Sequence, residues 1–345
     1  MKDVILTTDL YHRHADPNDH WNLASMYSLA HQGLIHFAGI MCDDDRALAN
    51  DGSFLHFGDP SVQSIAQLNY ISGLAVPVGF GSRLPIKKKE DLDTVLKANR
   101  KISSATLLLE TLQRSENKVD IHMCGSCKDV LIAYHYAPEL FEQKCDCIYL
   151  NAGTYTQQDP LEYNVSLEPY AFSQIFKIPC KICWSPCFDR LIPYPFKPAK
   201  RANYYEIDQA DFVPHMSEAI KKYFNYMYGE VFDVNWLTYL RTPLDENLLA
   251  SWSNGKRQMW STPGYLLSAG KCVTEDGEIV NNDGNISPVY DYKPVHVHVN
   301  DDGTLEWQDT DASNVFMFEN KDPDVYNIAM GKAVMKLIAA LPDLP

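Results

Sequence analysis

The spacing of apolar residues along the first half of the chain alternates between that of strands and that of helices. Short runs rich in β-branched residues, such as residues 4–6, predict buried strands that end in polar loops. Between them, apolar residues recur every three or four positions, as in residues 21–30, which predicts helices packed on a sheet. Repeated strand-helix-strand units predict an α/β fold with a mostly parallel open sheet flanked by helices.

The other predicted elements continue this alternation and then change character. Further strands are predicted at residues 35–41, 76–78, 120–123, 147–150 and 181–184. Further helices are predicted at residues 105–114, 128–136, 169–176, 216–228, 245–252 and 325–341. Residues 295–299 and 304–307 flank Asp301-Asp302-Gly303, which predicts a hairpin. We expect one domain over residues 1–345, with a hairpin-rich insertion or extension at residues 275–310.

Composition narrows the function classes. The formal net charge is −15 and the isoelectric point is near 5.1, so the surface repels phosphate backbones and anionic lipid. We therefore expect neither nucleic acid nor a membrane as partner. Residues 1–3 lead into a short apolar run without the pattern of a secretory signal. The nine cysteines, an odd number, favour reduced thiols and a cytoplasmic location.

The loop after the first predicted strand concentrates titratable groups. Three carboxylates and three imidazoles fall within twelve residues, namely Asp9, His12, His14, Asp16, Asp19 and His20. In open α/β folds, ligands bind at this edge of the sheet. Carboxylates held together repel one another, and an oxygen-ligated cation such as Ca²⁺ or Mg²⁺ relieves that repulsion. A second interpretation is that Asp16 and Asp19 only cap the following helix.

Several segments, in order along the chain, resemble the inosine-uridine preferring nucleoside hydrolases. They are Ile5-Leu6-Thr7-Thr8-Asp9, Asp16-Pro17-Asn18-Asp19, Pro77-Val78-Gly79-Phe80-Gly81, the turn at residues 122–129, Leu150-Asn151-Ala152-Gly153, and Glu162-Tyr163-Asn164. The resemblance implies a calcium ion held by Asp9, Asp16, Asp19, a carbonyl at Lys128, and Thr262. It also implies that Glu162 and Asn164 bind ribose hydroxyls. If their segment is extended, these two side chains point the same way.

The sequence departs from that family in two places, one in the first loop and one in a motif near residue 262. The family commonly has adjacent aspartates where this chain has Asn18-Asp19. Its late His-Asp-Pro motif aligns with Ser261-Thr262-Pro263, so Thr262 replaces a carboxylate with a neutral oxygen. Fewer carboxylates weaken affinity for a hard cation, which leaves another divalent cation open.

The residues support hydrolysis of an N-ribosyl bond. Asp9 is the candidate general base and cation ligand, and Asn18 is a candidate ligand for a sugar hydroxyl. The group that assists the leaving base is not identified, because Ser261 stands where the family has a histidine; His12, His14, His20 or Trp260 could compensate. The expected partner is a small nucleoside or riboside, and we expect a homo-oligomer, either a dimer or a tetramer.

Two other function classes remain open. The pair His12-x-His14 after a first strand suits a transition-metal amidohydrolase, which would need more histidines at later strand ends. Alternatively, the exchanges at Asn18 and Thr262 suit a noncatalytic nucleoside- or sugar-binding relative. Cys124-x2-Cys127 and Cys180-x2-Cys183-x3-Cys187 have metal-site spacings, but their predicted positions favour buried free thiols.

Overall fold

The computed structural model describes residues 1–11, 16–43, 60–98, 102–156, 159–191 and 195–344. The strands in these parts of the chain are β1 Lys2–Thr8, β2 Ile35–Cys42, β3 Val78–Phe80, β4 Val119–Cys124, β5 Cys145–Asn151, β6 Lys181–Ser185, β7 Tyr205–Asp208, β8 Lys256–Met259, β9 Lys271–Val273, β10 Ile279–Asn281, β11 Tyr290–Val299, β12 Leu305–Asp309 and β13 Val315–Asn320. The helices are α1 Pro17–His31, α2 Pro60–Ser72, α3 Lys89–Ala98, α4 Ser103–Arg114, α5 Lys128–Tyr136, α6 Pro138–Lys144, α7 Tyr163–Leu167, α8 Pro169–Ile175, α9 Gln209–Phe212, α10 Glu218–Tyr228, α11 Trp236–Tyr239, α12 Glu246–Ser253, α13 Thr262–Ser268 and α14 Pro323–Ala339. A 3₁₀ turn spans Val213–His215.

A nine-stranded sheet in the described residues has the order β12-β11-β13-β6-β5-β4-β1-β2-β3. Within this sheet, all neighbouring strands from β13 through β6, β5, β4, β1 and β2 to β3 pair in parallel. Strands β11 and β12 form an antiparallel hairpin at one edge, and β11 pairs antiparallel with β13. Every residue of β4 is buried, as expected for a parallel strand covered on both faces. The predicted fold, a mostly parallel open sheet with a C-terminal hairpin extension, is confirmed.

The strand order reverses between β1 and β4. From β1 the chain continues into α1, which packs with residues of α2, α10 and α14 in one hydrophobic core cluster. From β4 the chain continues into α5, which packs with residues of α4, α6 and α8 in a second hydrophobic core cluster on the opposite face of the sheet. Where successive crossovers diverge to opposite faces, a crevice opens at the carboxyl ends of the strands. The order therefore places a ligand crevice above the ends of β1 and β4.

Local patterns predicted every strand of the nine-stranded sheet except β13, and seven of the fourteen described helices. The helix expected at residues 21–30 is α1, which begins earlier because Pro17 occupies its first turn and Asp16 is its N-cap. The hairpin expected at residues 295–307 is β11 and β12. Strand β13 was not predicted; it pairs with β6 and joins the hairpin to the main sheet. No helix in the described ranges is long and apolar enough to cross a bilayer.

Candidate active site

A cleft of about 270 Å³ opens at the crevice above β1, β4 and β5. Its described lining consists of Asp9, Asp16, Asn18, Asp19, Cys124, Gly125, Asn151, Glu162, Tyr163, Asn164, Cys187, Phe188, Phe196 and Trp260. Small-molecule sites begin at about 300 Å³, so the cleft is close to the size of a single small ligand. Acidic groups of the first loop and aromatic rings of later loops both face it.

The three aspartates of the first loop converge at the N-terminus of α1. Each of Asp9, Asp16 and Asp19 offers a carboxylate oxygen, and these oxygens lie within 4.8 Å of one another. Asp16 caps the helix by accepting the Asn18 backbone N–H at 2.9 Å. Asp16 therefore caps the helix, as the second interpretation predicts, whereas Asp19 lies in the first turn. The cation site stays a prediction.

Hydrogen bonds orient Asp19 toward the end of β1. Its carboxylate accepts the Thr8 hydroxyl and the Asp9 backbone N–H, the latter at 3.2 Å. The Asn18 side-chain amide donates to the other oxygen at 3.3 Å. The side chain of Asn18 is in turn held by Asn22 at 3.1 Å. The acidic cluster is thus built on a strand end and a helix start, which are rigid elements.

The acidic cluster is electrostatically costly without a cation. Burial raises the pKa of Asp9 well above its ordinary value, and the charges of Asp19, Asp16 and Asp43 raise it further. Burial and then the charge of Asp16 raise the pKa of Asp19 to about 7, against the hydrogen bonds from Thr8 and Asp9. A divalent cation would remove this repulsion, and three converging carboxylate oxygens are the donors that Ca²⁺ and Mg²⁺ prefer.

Glu162 and Asn164 line the cleft, but the predicted extended segment is wrong. Glu162 is the N-cap of α7, and its carboxylate accepts the backbone N–H groups of Gly153 at 2.8 Å, Asn164 at 3.1 Å and Val165 at 3.4 Å. Asn164 donates from its side chain to the Asn151 carbonyl at 3.2 Å. Backbone N–H groups thus fix the orientation of the Glu162 carboxylate at the edge of the cleft.

The structure does not bring Lys128 or Thr262 into the described lining of the cleft. Lys128 starts α5, and its buried ammonium lies 3.8 Å from Glu168. Thr262 is fully buried, and its hydroxyl accepts a hydrogen bond from Tyr205 at 2.8 Å. Their assignment as cation ligands therefore stays a prediction from the resemblance, whereas Asp9, Asp16 and Asp19 lie together.

Phe188, Phe196 and Trp260 form an aromatic wall in the lining of the cleft. The ring centroids of Phe188 and Phe196 are 4.5 Å apart, and those of Phe188 and Trp260 are 5.6 Å apart. Tyr204 backs the wall at 5.7 Å from Trp260. The Trp260 indole N–H donates to the Cys187 carbonyl at 3.1 Å, which fixes the ring. Such a wall suits a flat ring.

Asn203 is a site residue that the sequence did not reveal. Its buried side-chain amide donates to the Asn151 side chain at 2.7 Å and to the Trp260 carbonyl at 3.1 Å. The backbone carbonyl of Asn203 accepts the Tyr326 hydroxyl at 2.7 Å. Asn203 thus joins the end of β5 to the aromatic wall and to α14. Asn151 follows from the strand-end rule, but nothing local in the sequence marks Asn203.

Four histidines lie in or near the predicted site segments. His12 and His14, the pair behind the amidohydrolase hypothesis, lie outside the described residues. His20 is buried in α1, where its ring nitrogen hydrogen-bonds the Tyr223 hydroxyl at 2.8 Å, and burial lowers its pKa to about 3. His122 lies in the core within β4, 2.9 Å from Ser268. Neither His20 nor His122 belongs to the described lining of the cleft.

The mostly parallel nine-stranded sheet flanked by helices matches the α/β fold of solved nucleoside hydrolases. No protein-family model matches the sequence, and no curated protein matches it. A plant nucleoside hydrolase, the PpNRh1 enzyme, is 13% identical with a TM-score of 0.55, over 96% of this chain and 99% of that one. A purine-preferring ribonucleoside hydrolase from Gardnerella vaginalis is 11% identical with a TM-score of 0.55, over 98% and 99%.

A third similar structure is a complex with a bound ligand. The type III effector protein XopQ, complexed with adenosine diphosphate ribose, is 14% identical with a TM-score of 0.54 over 99% of this chain and 94% of that one. At such identities the likeness shows the fold alone. Function must be argued from the cleft itself.

Proposed function

We propose that the protein is a divalent-cation-dependent hydrolase that cleaves the N-glycosidic bond of a ribonucleoside. The observation that carries this proposal is the convergence of three carboxylates within 4.8 Å in a cleft whose lining also contains three aromatic rings. A ribosyl transfer to water needs a base and sugar ligands on one side and a surface for the flat leaving group on the other. The nucleoside hydrolase-like fold supports the same class.

The residues divide the work as follows. Asp9 takes a proton from the attacking water. Asn18, Asn164 and Glu162 hold the sugar hydroxyls, and the aromatic wall packs against the base. Asp9, Asp16 and Asp19 would hold Ca²⁺ or Mg²⁺. Such a cation supplies Lewis-acid activation of water and orients the sugar hydroxyls.

The test is hydrolysis of a panel containing inosine, adenosine, uridine and p-nitrophenyl riboside, with and without chelator. Asp9→Ala is compared with Asp302→Ala, which removes an exposed carboxylate from a hairpin turn. We expect turnover that is lost with chelator and with Asp9→Ala but retained with Asp302→Ala. Absence of turnover on every riboside, with cation present, would overturn the proposal.

A noncatalytic nucleoside-binding protein is the second candidate, and the position of Thr262 favours it. Thr262 is uncharged, is held by Tyr205 and is not in the described lining of the cleft, so the three aspartates would bind a cation with fewer charged ligands than the resemblance implies. Nucleoside binding measured by calorimetry, with no turnover in the same panel, would support this candidate over the hydrolase.

Asn203→Leu tests the hydrogen bonds that join Asn151 to Trp260 of the aromatic wall. We expect KM for a hydrolysed riboside to rise about tenfold, because two buried hydrogen bonds that position Asn151 and Trp260 are lost. Asn320→Leu is the matched control: Asn320 is also buried and donates to a backbone carbonyl, that of Ala199 at 2.8 Å, away from the cleft. Equal changes of KM in the two variants would show that Asn203 acts only through stability.

A further inference from the structure

The negative charge of the cleft exceeds what the proposed cation offsets. Four of its described lining residues are carboxylic acids, and none of its described lining residues is a lysine, arginine or histidine. A bound divalent cation would offset two of those four negative charges. The remaining potential favours a positively charged ligand, since charges of opposite sign in a partly buried cleft are weakly screened.

The aromatic wall offers a surface for the same kind of ligand. Phe188, Phe196 and Trp260 are each half-buried, so their rings are packed against neighbours yet still reach the cleft. The face of an aromatic ring carries negative electrostatic potential and attracts cations, most strongly where water is excluded. Flat cations gain stacking as well as charge attraction at such a wall.

We propose that the preferred substrate class is an N-ribosyl pyridinium, a riboside whose leaving group is a flat aromatic cation. This inference rests on the proposed ribosyl hydrolysis and names its substrate. The ribose would lie beside Asn18, Asn164 and Glu162, and the pyridinium ring against the aromatic wall. Nicotinamide riboside is the probe with this chemistry.

The reaction balances without a proton donor for the leaving group. The bond between C1′ and the ring nitrogen breaks with both electrons on the nitrogen, so the ring leaves as a neutral pyridine. The oxygen of water bonds to C1′, and the proton that it gives up passes to Asp9 and then to solvent. The products are ribose, nicotinamide and one proton. Ser261, the neutral residue that follows Trp260, therefore does not have to donate a proton to this leaving group.

The experiment compares three ribosides on the cation-loaded protein: nicotinamide riboside, nicotinic acid riboside and inosine. Nicotinic acid riboside keeps the pyridinium ring but adds a carboxylate that the acidic cleft repels. We expect kcat/KM for nicotinamide riboside to exceed that for inosine by about tenfold or more, the size of one cation-aromatic contact. We expect kcat/KM for nicotinic acid riboside to be lower than that for nicotinamide riboside. The difference between these two values should shrink as salt is added.

Phe188→Leu tests the role of the wall, since leucine keeps apolar bulk but has no ring face. We expect it to raise KM for nicotinamide riboside about tenfold and that for inosine less. Phe176→Leu is the control, because Phe176 is a half-buried ring packed against Phe172 and Trp184 outside the cleft. Trp260→Leu serves as a second wall variant if Phe188→Leu fails to fold.

The outcomes separate this inference from the proposed function. Hydrolysis of inosine with no preference for nicotinamide riboside overturns the inference and leaves the hydrolase intact. If no riboside is hydrolysed, the proposed hydrolase is overturned, and calorimetric binding decides the inference. Tighter binding of nicotinamide riboside than of inosine then supports a cation-selective cleft, and equal or weaker binding overturns it.

Discussion

Replacing Asp9 by asparagine is expected to lower riboside turnover by about 10²- to 10⁴-fold and to stabilise the cation-free protein at pH 8. The loss of turnover follows because an amide accepts no proton from water and is a poorer ligand for a hard cation. The gain in stability follows because the substitution removes one negative charge from three that converge within 4.8 Å. Activity and stability thus change in opposite directions.

The sign of the pH dependence follows from the raised pKa values. In the unfolded chain, Asp9 and Asp19 titrate near 3.8, whereas in the fold burial raises the pKa of Asp9 well above that value and that of Asp19 to about 7. The folded protein therefore holds more protons than the unfolded chain above pH 4. The free energy of unfolding of the cation-free protein falls as the pH rises from about 4 to about 7.

Urea unfolding at pH 5 and pH 8, in chelator and in Ca²⁺, measures this effect. We expect Asp9→Asn to raise the free energy of unfolding in chelator by about 2 kcal/mol at pH 8 and by less at pH 5. Calcium should stabilise the wild type more than the variant. Burial also raises the pKa of Asp129 to about 7, so only the difference between the two proteins isolates Asp9. A variant that is less stable than wild type at both pH values would contradict the explanation.

The sequence predicted the position of the acidic cluster because the strand, loop and helix that carry it are consecutive in the chain. The apolar run of β1, the polar residues after it and the periodicity of α1 lie within thirty consecutive residues. Asp9 follows a central strand and Asp16 starts a helix, so the strand-end and capping rules apply to each directly. The resemblance then connected this loop with Glu162 and Asn164, which line the same cleft.

The rest depends on contacts between distant segments. Glu162 directs its carboxylate into the turn at Gly153 because it caps α7, and its spacing from Asn164 does not reveal a cap. Asn203 gains its position from β5 and α14, which no local pattern shows. Strand β13 did carry a signal, the apolar run at residues 315–318, but its place beside β6 is set by a parallel pairing across more than 130 residues.

Lys128 gives the second large effect, which concerns stability. We expect Lys128→Met to lower the free energy of unfolding by about 3–5 kcal/mol, the cost of breaking a buried ion pair from one side. The Lys128 ammonium lies 3.8 Å from Glu168, and both side chains are buried. Its charge also acts on the neighbouring Asp129, where it opposes the rise in pKa that burial causes.

The buried charges hold the turn that forms part of the cleft. Ser126 donates its hydroxyl to Glu168 and its backbone N–H to Asp43, the latter at 2.8 Å, and the preceding Gly125 lines the cleft. Without the ammonium, neighbouring carboxylates would repel one another at this turn. Loss of Lys128 should therefore affect the shape of the cleft as well as stability.

Urea unfolding of Lys128→Met is compared with that of Lys177→Met. Lys177 forms an exposed ion pair with Asp301 at 3.9 Å, for which a loss below about 1 kcal/mol is expected. The double variant Lys128→Met with Glu168→Gln should recover part of the loss, because it no longer leaves the Glu168 carboxylate buried without its cation. Equal losses for Lys128→Met and Lys177→Met would show that the buried ammonium contributes no more than a surface charge.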